Sequence, residues 1–299
     1  MSQAAALPDV VRDIERTAAD VVAQAAAYPS SILADVAGRR GALHGRIQPL
    51  SPSMRFAGTA ITVEVRPGDN LMIHAAMAIA RPGDVIVVDG KGDLSSALMG
   101  EIMSQQCVAL GVAAVVIDGA VRDSEAIREL GFPMFAAGLN PNGPTKSISG
   151  RLNHPVSIGG VTVHPGDLIV GDCDGVTVIE RAKAASLLPL AAEKVAAETK
   201  RIAGIRNREA LGPAWLDGAL RAAGVIREGE TLGAAARSSS PAPASRPRRW
   251  HCSTGSRWST PARRRAPTTS RPCAGGTTRW RSSCATTAWA RPRWWRRLR

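Results

Sequence analysis

The sequence predicts an α/β domain built on a parallel sheet, and three observations carry that prediction. Short apolar runs at 85–88 and 113–117 alternate with helical patterns at 96–110 and 123–130. Strand, helix, strand, helix in that order implies parallel pairing through crossovers. Hydrophobic residues make up 44% of 299, so a sizeable core can form.

The elements follow in order. Residues 10–27 carry apolar residues on one face and charges on the other, which predicts a helix. Pro29-Ser30-Ser31 ends it, and either serine can cap a second helix over 32–38. Residues 58–65 alternate as a strand. Pro67-Gly68-Asp69 is a turn, and 70–79 reads as a helix. Pro82-Gly83-Asp84 is a second turn before the strand that ends at Asp89. Gly90 to Asp93 reads as a loop before the helix 96–110, which Gly111 stops. Asp118-Gly119-Ala120 turns the chain after the next strand. Gly131 ends the helix 123–130. Residues 156–163 read as a hairpin around Gly159-Gly160. A third Pro-Gly-Asp turn, 165–167, precedes strands at 168–170 and 176–179. An amphipathic helix spans 181–203, and 215–225 predicts a last short one.

The formal net charge is +13, which by itself points to nucleic acid or an acidic surface. Its location removes that reading from the body. Residues 237–299 hold 16 arginines and no lysine or acid, leaving 22 basic against 25 acidic residues before them. The tail also holds six of the seven tryptophans, one leucine and no other branched aliphatic residue. Such a segment cannot bury enough apolar area to offset its ordering entropy. A basic arm for nucleic acid and a plain disordered extension both fit it. An out-of-frame translation of GC-rich coding sequence fits its residue list best. Residues 1–233 are therefore expected to form the domain, and 234–299 a disordered Arg/Ser/Trp-rich tail.

Only Cys107 and Cys173 lie in the body, without metal-ligand spacing. No signal-peptide pattern and no run long enough to span a bilayer stand out. A cytoplasmic protein is expected.

Ligands of parallel sheets gather beyond the strands' carboxyl ends. Two such ends fall close together, after Asp89 and at Asp118 to Asp123. Gly100 lets a ligand approach the backbone, and a helix starting there would offer free N–H groups to a carboxylate. Arg122 can clamp a carboxylate or stabilise an enolate oxygen. Asp123 is a hard oxygen ligand for Mg²⁺ or Mn²⁺, and Glu101 can hold or deprotonate a water. Each residue alone also has a plain structural reading, as a cap, a packing site or a solvated charge. Asp172 and Asp174 read as a tight turn rather than a metal pair. His74 and His154 read as structural histidines. No nucleophilic triad stands out.

The runs PGDNLMIHAAMAIARPGDVIVVDG (67–90), GEIM (100–103) and VVIDGAVRDSEAIRELGFPMFA (115–136) resemble the RraA-like family. The nearest resemblance is to its 4-hydroxy-4-methyl-2-oxoglutarate / 4-carboxy-4-hydroxy-2-oxoadipate aldolases. It implies an α/β sandwich with a β-barrel-like core, similar to the swivelling phosphohistidine domain. It implies a carbon–carbon lyase that releases pyruvate, decarboxylates oxaloacetate and uses Mg²⁺ or Mn²⁺. The site residues it implies are Gly100, Glu101, Ile102 and Met103 on the substrate carboxylate, Arg122 on substrate oxygens and Asp123 on the metal. Arg122 and Glu101 would act in catalysis. Asp35 and Glu101 would hold metal waters, joined by Glu198, or else Glu193, from a neighbouring subunit. A homotrimer or hexamer follows. Glu101 stands where many of these aldolases carry Asp, and Asp35 where Glu is common. The alternative is a non-enzymatic RraA-type ribonuclease regulator.

Overall fold

Residues 9–18 form an extended tether, not the first part of the helix expected over 10–27; only α1 (Ala19–Ala25) of that stretch is helical. The computed structural model describes residues 9–209 and 211–232, and the arginine-rich tail lies outside the described residues. The tether is extended because distant partners hold it. Val11 N–H donates to the Leu152 carbonyl, Leu152 N–H to Asp9, and Thr17 N–H to Gly166. Arg16 grips the buried Asp84 carboxylate through Nε (2.8 Å) and Nη2 (3.0 Å). Val11, Ile14 and Thr17 are the tether's shielded uncharged residues, and their spacing of three is also that of a helix face.

α2 (Ser30–Val36) follows, and the Ser30 hydroxyl donates to Asp172 rather than capping its own helix. β1 (Gln48–Pro49) and β2 (Phe56–Glu64) lead to α3 (Leu71–Ile79). β3 (Asp84–Met99) then runs 16 residues, straight through the expected loop and the first turn of the expected helix. Register shifts against its neighbour absorb the irregular stretch, where Lys91 and Gly92 both have positive φ. α4 (Glu101–Leu110) therefore starts at Glu101, not Ser96. β4 (Ala114–Val121) likewise continues through the expected turn at Asp118–Ala120, and all eight of its residues are buried. α5 (Ser124–Leu130) ends at Gly131, as expected.

β5 (Met134–Leu139), β6 (Arg151–Leu152), the hairpin β7 (Val156–Ile158) with β8 (Val161–Val163), then β9 (Leu168–Asp172) and β10 (Gly175–Ile179) complete the strands. The large sheet has the order β1-β5-β4-β3-β2-β9-β10. Its centre, β2 to β5, is parallel, while β1, β9 and β10 pair antiparallel. The fold is thus a mixed α/β one. Residues 41–49 cross from one sheet edge to the other: Val178 N–H donates to Gly41, Leu43 N–H donates to Val176, and Gln48 pairs with Ala136. This crossing curls the sheet towards the barrel-like form the resemblance implies.

The three Pro-Gly-Asp turns share one construction. Gly68, Gly83 and Gly166 all have positive φ, and the buried aspartates accept backbone N–H groups beside them: Asp69 from Leu71, Asp84 from Arg81, Asp167 from His164. Burial alone would raise the Asp118 carboxyl. The two bonds from Arg46 and one from Gly159 N–H outweigh it and hold the group below its ordinary range.

One core lies between β2–β5 and the helices α3, α4 and α5. A second joins α1, α2, β9 and α6 (Arg181–Arg206). The buried residues of α6 are Ala184, Leu188 and Ala191, all in its first half. α7 (Leu216–Ala222) has none.

Candidate active site

The late end of β3, at Met99, and the late start of α4, at Glu101, make the site. Gly100 occupies the N-cap of α4 in extended backbone. The first helical bond runs from Ser104 N–H to the Gly100 carbonyl at 3.1 Å. The N–H groups of Glu101, Ile102 and Met103 therefore have no acceptor within the helix. Glu101 N–H donates to Asp123 Oδ2 at 3.1 Å, so a carboxylate already sits on this helix end. Glycine is needed at 100 for close approach, not for φ. A Cβ there would collide with Asp123 Oδ2 and lie 3.1 Å from Arg122 Cγ and 3.3 Å from Nε.

Arg122 and Asp123 follow β4 directly. Arg122 N–H donates to the Met99 carbonyl at 2.9 Å, stitching the ends of β3 and β4 together. Asp123 has φ 56° and ψ 36° at the N-cap of α5. Aspartate and asparagine tolerate that left-handed conformation better than most residues. It turns the carboxylate back towards Arg122, whose Nε lies 3.6 Å from Oδ2. The two side chains are 43% and 42% exposed, so their pairing contributes at most about 1 kcal/mol of stability.

Beneath the turn, the buried Asn70 donates from Nδ2 to the Leu98 carbonyl (2.9 Å) and to Met103 Sδ (3.3 Å). Its Oδ1 is buried and has no hydrogen-bond partner among the described residues. Asn70 had no local signal beyond opening a helix. Ile102 is 75% exposed at the rim. Burial pushes the Cys107 thiol up to about 12, so it offers no thiolate.

Gly100, Glu101, Arg122 and Asp123 are thus adjacent. Asp35 and Glu198 meet elsewhere, on Lys194, whose Nζ lies 2.8 Å from Asp35 and 3.4 Å from Glu198. Lys194 holds the Asp35 carboxyl below its ordinary range. Among the described residues, no hydrogen bond or ion pair joins Asp35, Glu193 or Glu198 to Arg122 or Asp123. Asp172, Cys173 and Asp174 bring ligand atoms within 4.8 Å of one another. Asp172 spends both oxygens on Ser30 and on Asp174 N–H, so this cluster is a turn that anchors α2.

Comparison with known proteins gives the same neighbourhood. A family model described as RraA-like, Aldolase/RraA, matches residues 11–178. A protein of Halalkalibacterium halodurans, provisionally named 4-hydroxy-4-methyl-2-oxoglutarate aldolase, is 39% identical over 198 residues, covering 66% of this chain and 94% of the relative. A crystal structure of an uncharacterised Pseudomonas syringae pv. tomato protein superposes with TM-score 0.57 at 26% identity, covering 65% of this chain and 96% of that one. Streptomyces coelicolor RraAS2, described as an unusual member of the RNase ES inhibitor RraA family, gives TM-score 0.56 at 28% identity over 62% of this chain and 99% of that one. With the family model covering more than half of its length, the chain belongs to the RraA-like (Aldolase/RraA) family.

Proposed function

We propose that the protein is a divalent-metal-dependent aldolase. Its substrates would be 4-hydroxy-4-methyl-2-oxoglutarate or 4-carboxy-4-hydroxy-2-oxoadipate, with oxaloacetate decarboxylated at the same site. The observation that carries this reading is the half-exposed corner where the α4 N-terminus, Arg122 and Asp123 meet. It offers an anion seat, a guanidinium and a carboxylate to one small ligand.

The donor set fits a hard dication. Asp123 would supply the carboxylate oxygen that Mg²⁺ or Mn²⁺ takes together with waters, and Glu101 would hold one of those waters. When bound, the ion would polarise the 2-oxo oxygen as a Lewis acid. The chain's own residues carry the remaining work. The backbone N–H groups of Ile102 and Met103 seat the C1 carboxylate at the helix end, while that of Glu101 is held by Asp123. Arg122 donates to the 2-oxo oxygen and stabilises the charge that grows there. Glu101, through a water, accepts the C4 hydroxyl proton. The C3–C4 bond breaks, and its electron pair passes to the 2-oxo oxygen as the pyruvate enolate. Loss of CO₂ from oxaloacetate leaves the same enolate, so one stabilising arrangement serves both reactions.

The test is pyruvate release from a panel of 2-oxo diacids, after chelation and again with Mg²⁺ or Mn²⁺ restored. Ion-dependent release from at least one is expected. No release with either ion would sink the reading. The likeness to RraAS2 favours a second one, a ribonuclease regulator. Inhibition of a ribonuclease without turnover of any diacid would select it.

We further propose a cytoplasmic homotrimer or hexamer. Among the described residues, no helix is long and apolar enough to cross a membrane, and none beyond Ala191 is buried. The second half of α6 exposes Ile202 and Ile205, and a helix without packing is marginal in water. A neighbouring subunit would cover it and receive Glu198, or else Glu193, near its own Asp123. Light scattering should give three or six times the 31.3 kDa chain mass. A fully active monomer would overturn the assembly.

A further inference from the structure

Two glycines leave room for the Arg122 side chain, and only Gly100 stands in the three runs 67–90, 100–103 and 115–136. The other is Gly143, in the loop Asn140-Pro141-Asn142-Gly143-Pro144-Thr145. A Cβ on Gly143 would lie 3.0 Å from Arg122 Nη1 and 3.9 Å from Cζ. Gly100 therefore lies against the root of the side chain and Gly143 against its tip.

The loop cannot retreat to make room. Asn140 Nδ2 donates to the Leu94 carbonyl (2.7 Å) and Asn142 Nδ2 to that of Ser95 (3.3 Å). Ser96 Oγ donates to the Gly143 carbonyl itself (2.9 Å). Ala97 N–H donates to Asn142 O, and Asn70 N–H to Thr145 O. The Thr145 hydroxyl donates to the buried Asp69 (2.6 Å). These bonds anchor the loop to β3 and to the start of α3 on both sides of Gly143. Its φ, moreover, is not among the positive ones, so alanine meets no left-handed backbone there. An added methyl would displace the flexible end of Arg122 and little else.

We propose that Gly143 is a positioning residue. Its bare Cα sets where the Arg122 guanidinium ends, and hence which oxygens of a 2-oxo acid the fork can reach. This rests on the reading of Arg122 as the substrate clamp. The loop is then the wall against which the clamp is aligned, and its glycine is a functional requirement rather than a turn requirement.

The test is a double-mutant cycle on the full chain, read by calorimetric binding of oxalate in excess Mg²⁺ and by oxaloacetate turnover. Gly143→Ala should weaken oxalate binding about tenfold, since small misplacements of a positioned group cost one to two orders of magnitude. In the Arg122→Lys background it should cost less than about twofold, because lysine has no Nη1 to displace. kcat for oxaloacetate should fall with little change in KM. Tm should be the same with and without the substitution in either background, as for a surface change that breaks no bond. Equal losses in both backgrounds, no loss in either, or no oxalate binding by the parent protein would each overturn the proposal. If the cycle couples as expected but no diacid is turned over, the aldolase reading fails and the positioning role stands.

Discussion

Replacing Arg122 with lysine is expected to lower turnover of oxaloacetate and of the aldol substrates by about 10²-fold or more, the scale of losing one oxyanion donor. That corresponds to about 2.7 kcal/mol of transition-state stabilisation. Lysine keeps the charge but loses the planar fork. In this site the fork is confined: its root lies over Gly100 and its tip against Gly143. A flexible ammonium in the same place would be free to pair with the nearby Asp123 carboxylate and need not face the substrate. The ion pair it replaces is half-exposed, so Tm should hardly move. Metal binding, followed by Mn²⁺ relaxation or calorimetry, should survive. Near-normal kcat in the lysine variant would show that Arg122 does not stabilise the enolate.

Asp123→Asn is expected to act on the other half of the site. Asparagine tolerates the left-handed backbone at position 123. Its amide oxygen can still accept Glu101 N–H. The shape is retained and the ligand charge is lost. Changing groups merely adjacent to metal ligands costs 10–100-fold in affinity, so loss of the ligand charge itself should cost at least about 100-fold. Excess Mg²⁺ should then restore part of the rate, which it cannot do for Arg122→Lys. That contrast separates two neighbouring residues by mechanism. Unchanged metal affinity in Asp123→Asn would move the metal site elsewhere. The Asp172–Asp174 turn is a poor refuge, because its hydrogen bonds to Ser30 already occupy Asp172.

Much of the fold was legible where local chemistry decides it. The strand at 58–65, the helix at 70–79, the glycine stops and the long α6 follow from patterning and turn residues. The errors cluster where tertiary contacts decide. The tether before α1 looked helical because its charged residues find partners far away, as Arg16 does in Asp84. β3 and β4 outran their expected ends because irregular pairing within a buried sheet leaves no alternation to read. β5 went unread for the same reason. The extra length of β3 matters most: it delays the helix to Glu101 and frees the amides beside Arg122 and Asp123. At the site, Gly100 and the Arg122-Asp123 pair were visible through the resemblance. Gly143 and Asn70 act across long sequence distances, and neither residue type carries a local signature for such a role.

The extended N-terminal tether has a consequence for how the chain is made. Thr17 bonds to Gly166 across 149 positions, and Val11 to Asn153 across 142. The first described segment to be synthesised must therefore wait for the hairpin region before it can dock. At about 5–20 residues per second, that delay is roughly 7–30 s. Arg16 and Asp84, only 68 positions apart, are both made well before that point. Closure of the tether is a late, long-range event, of the kind that slows folding.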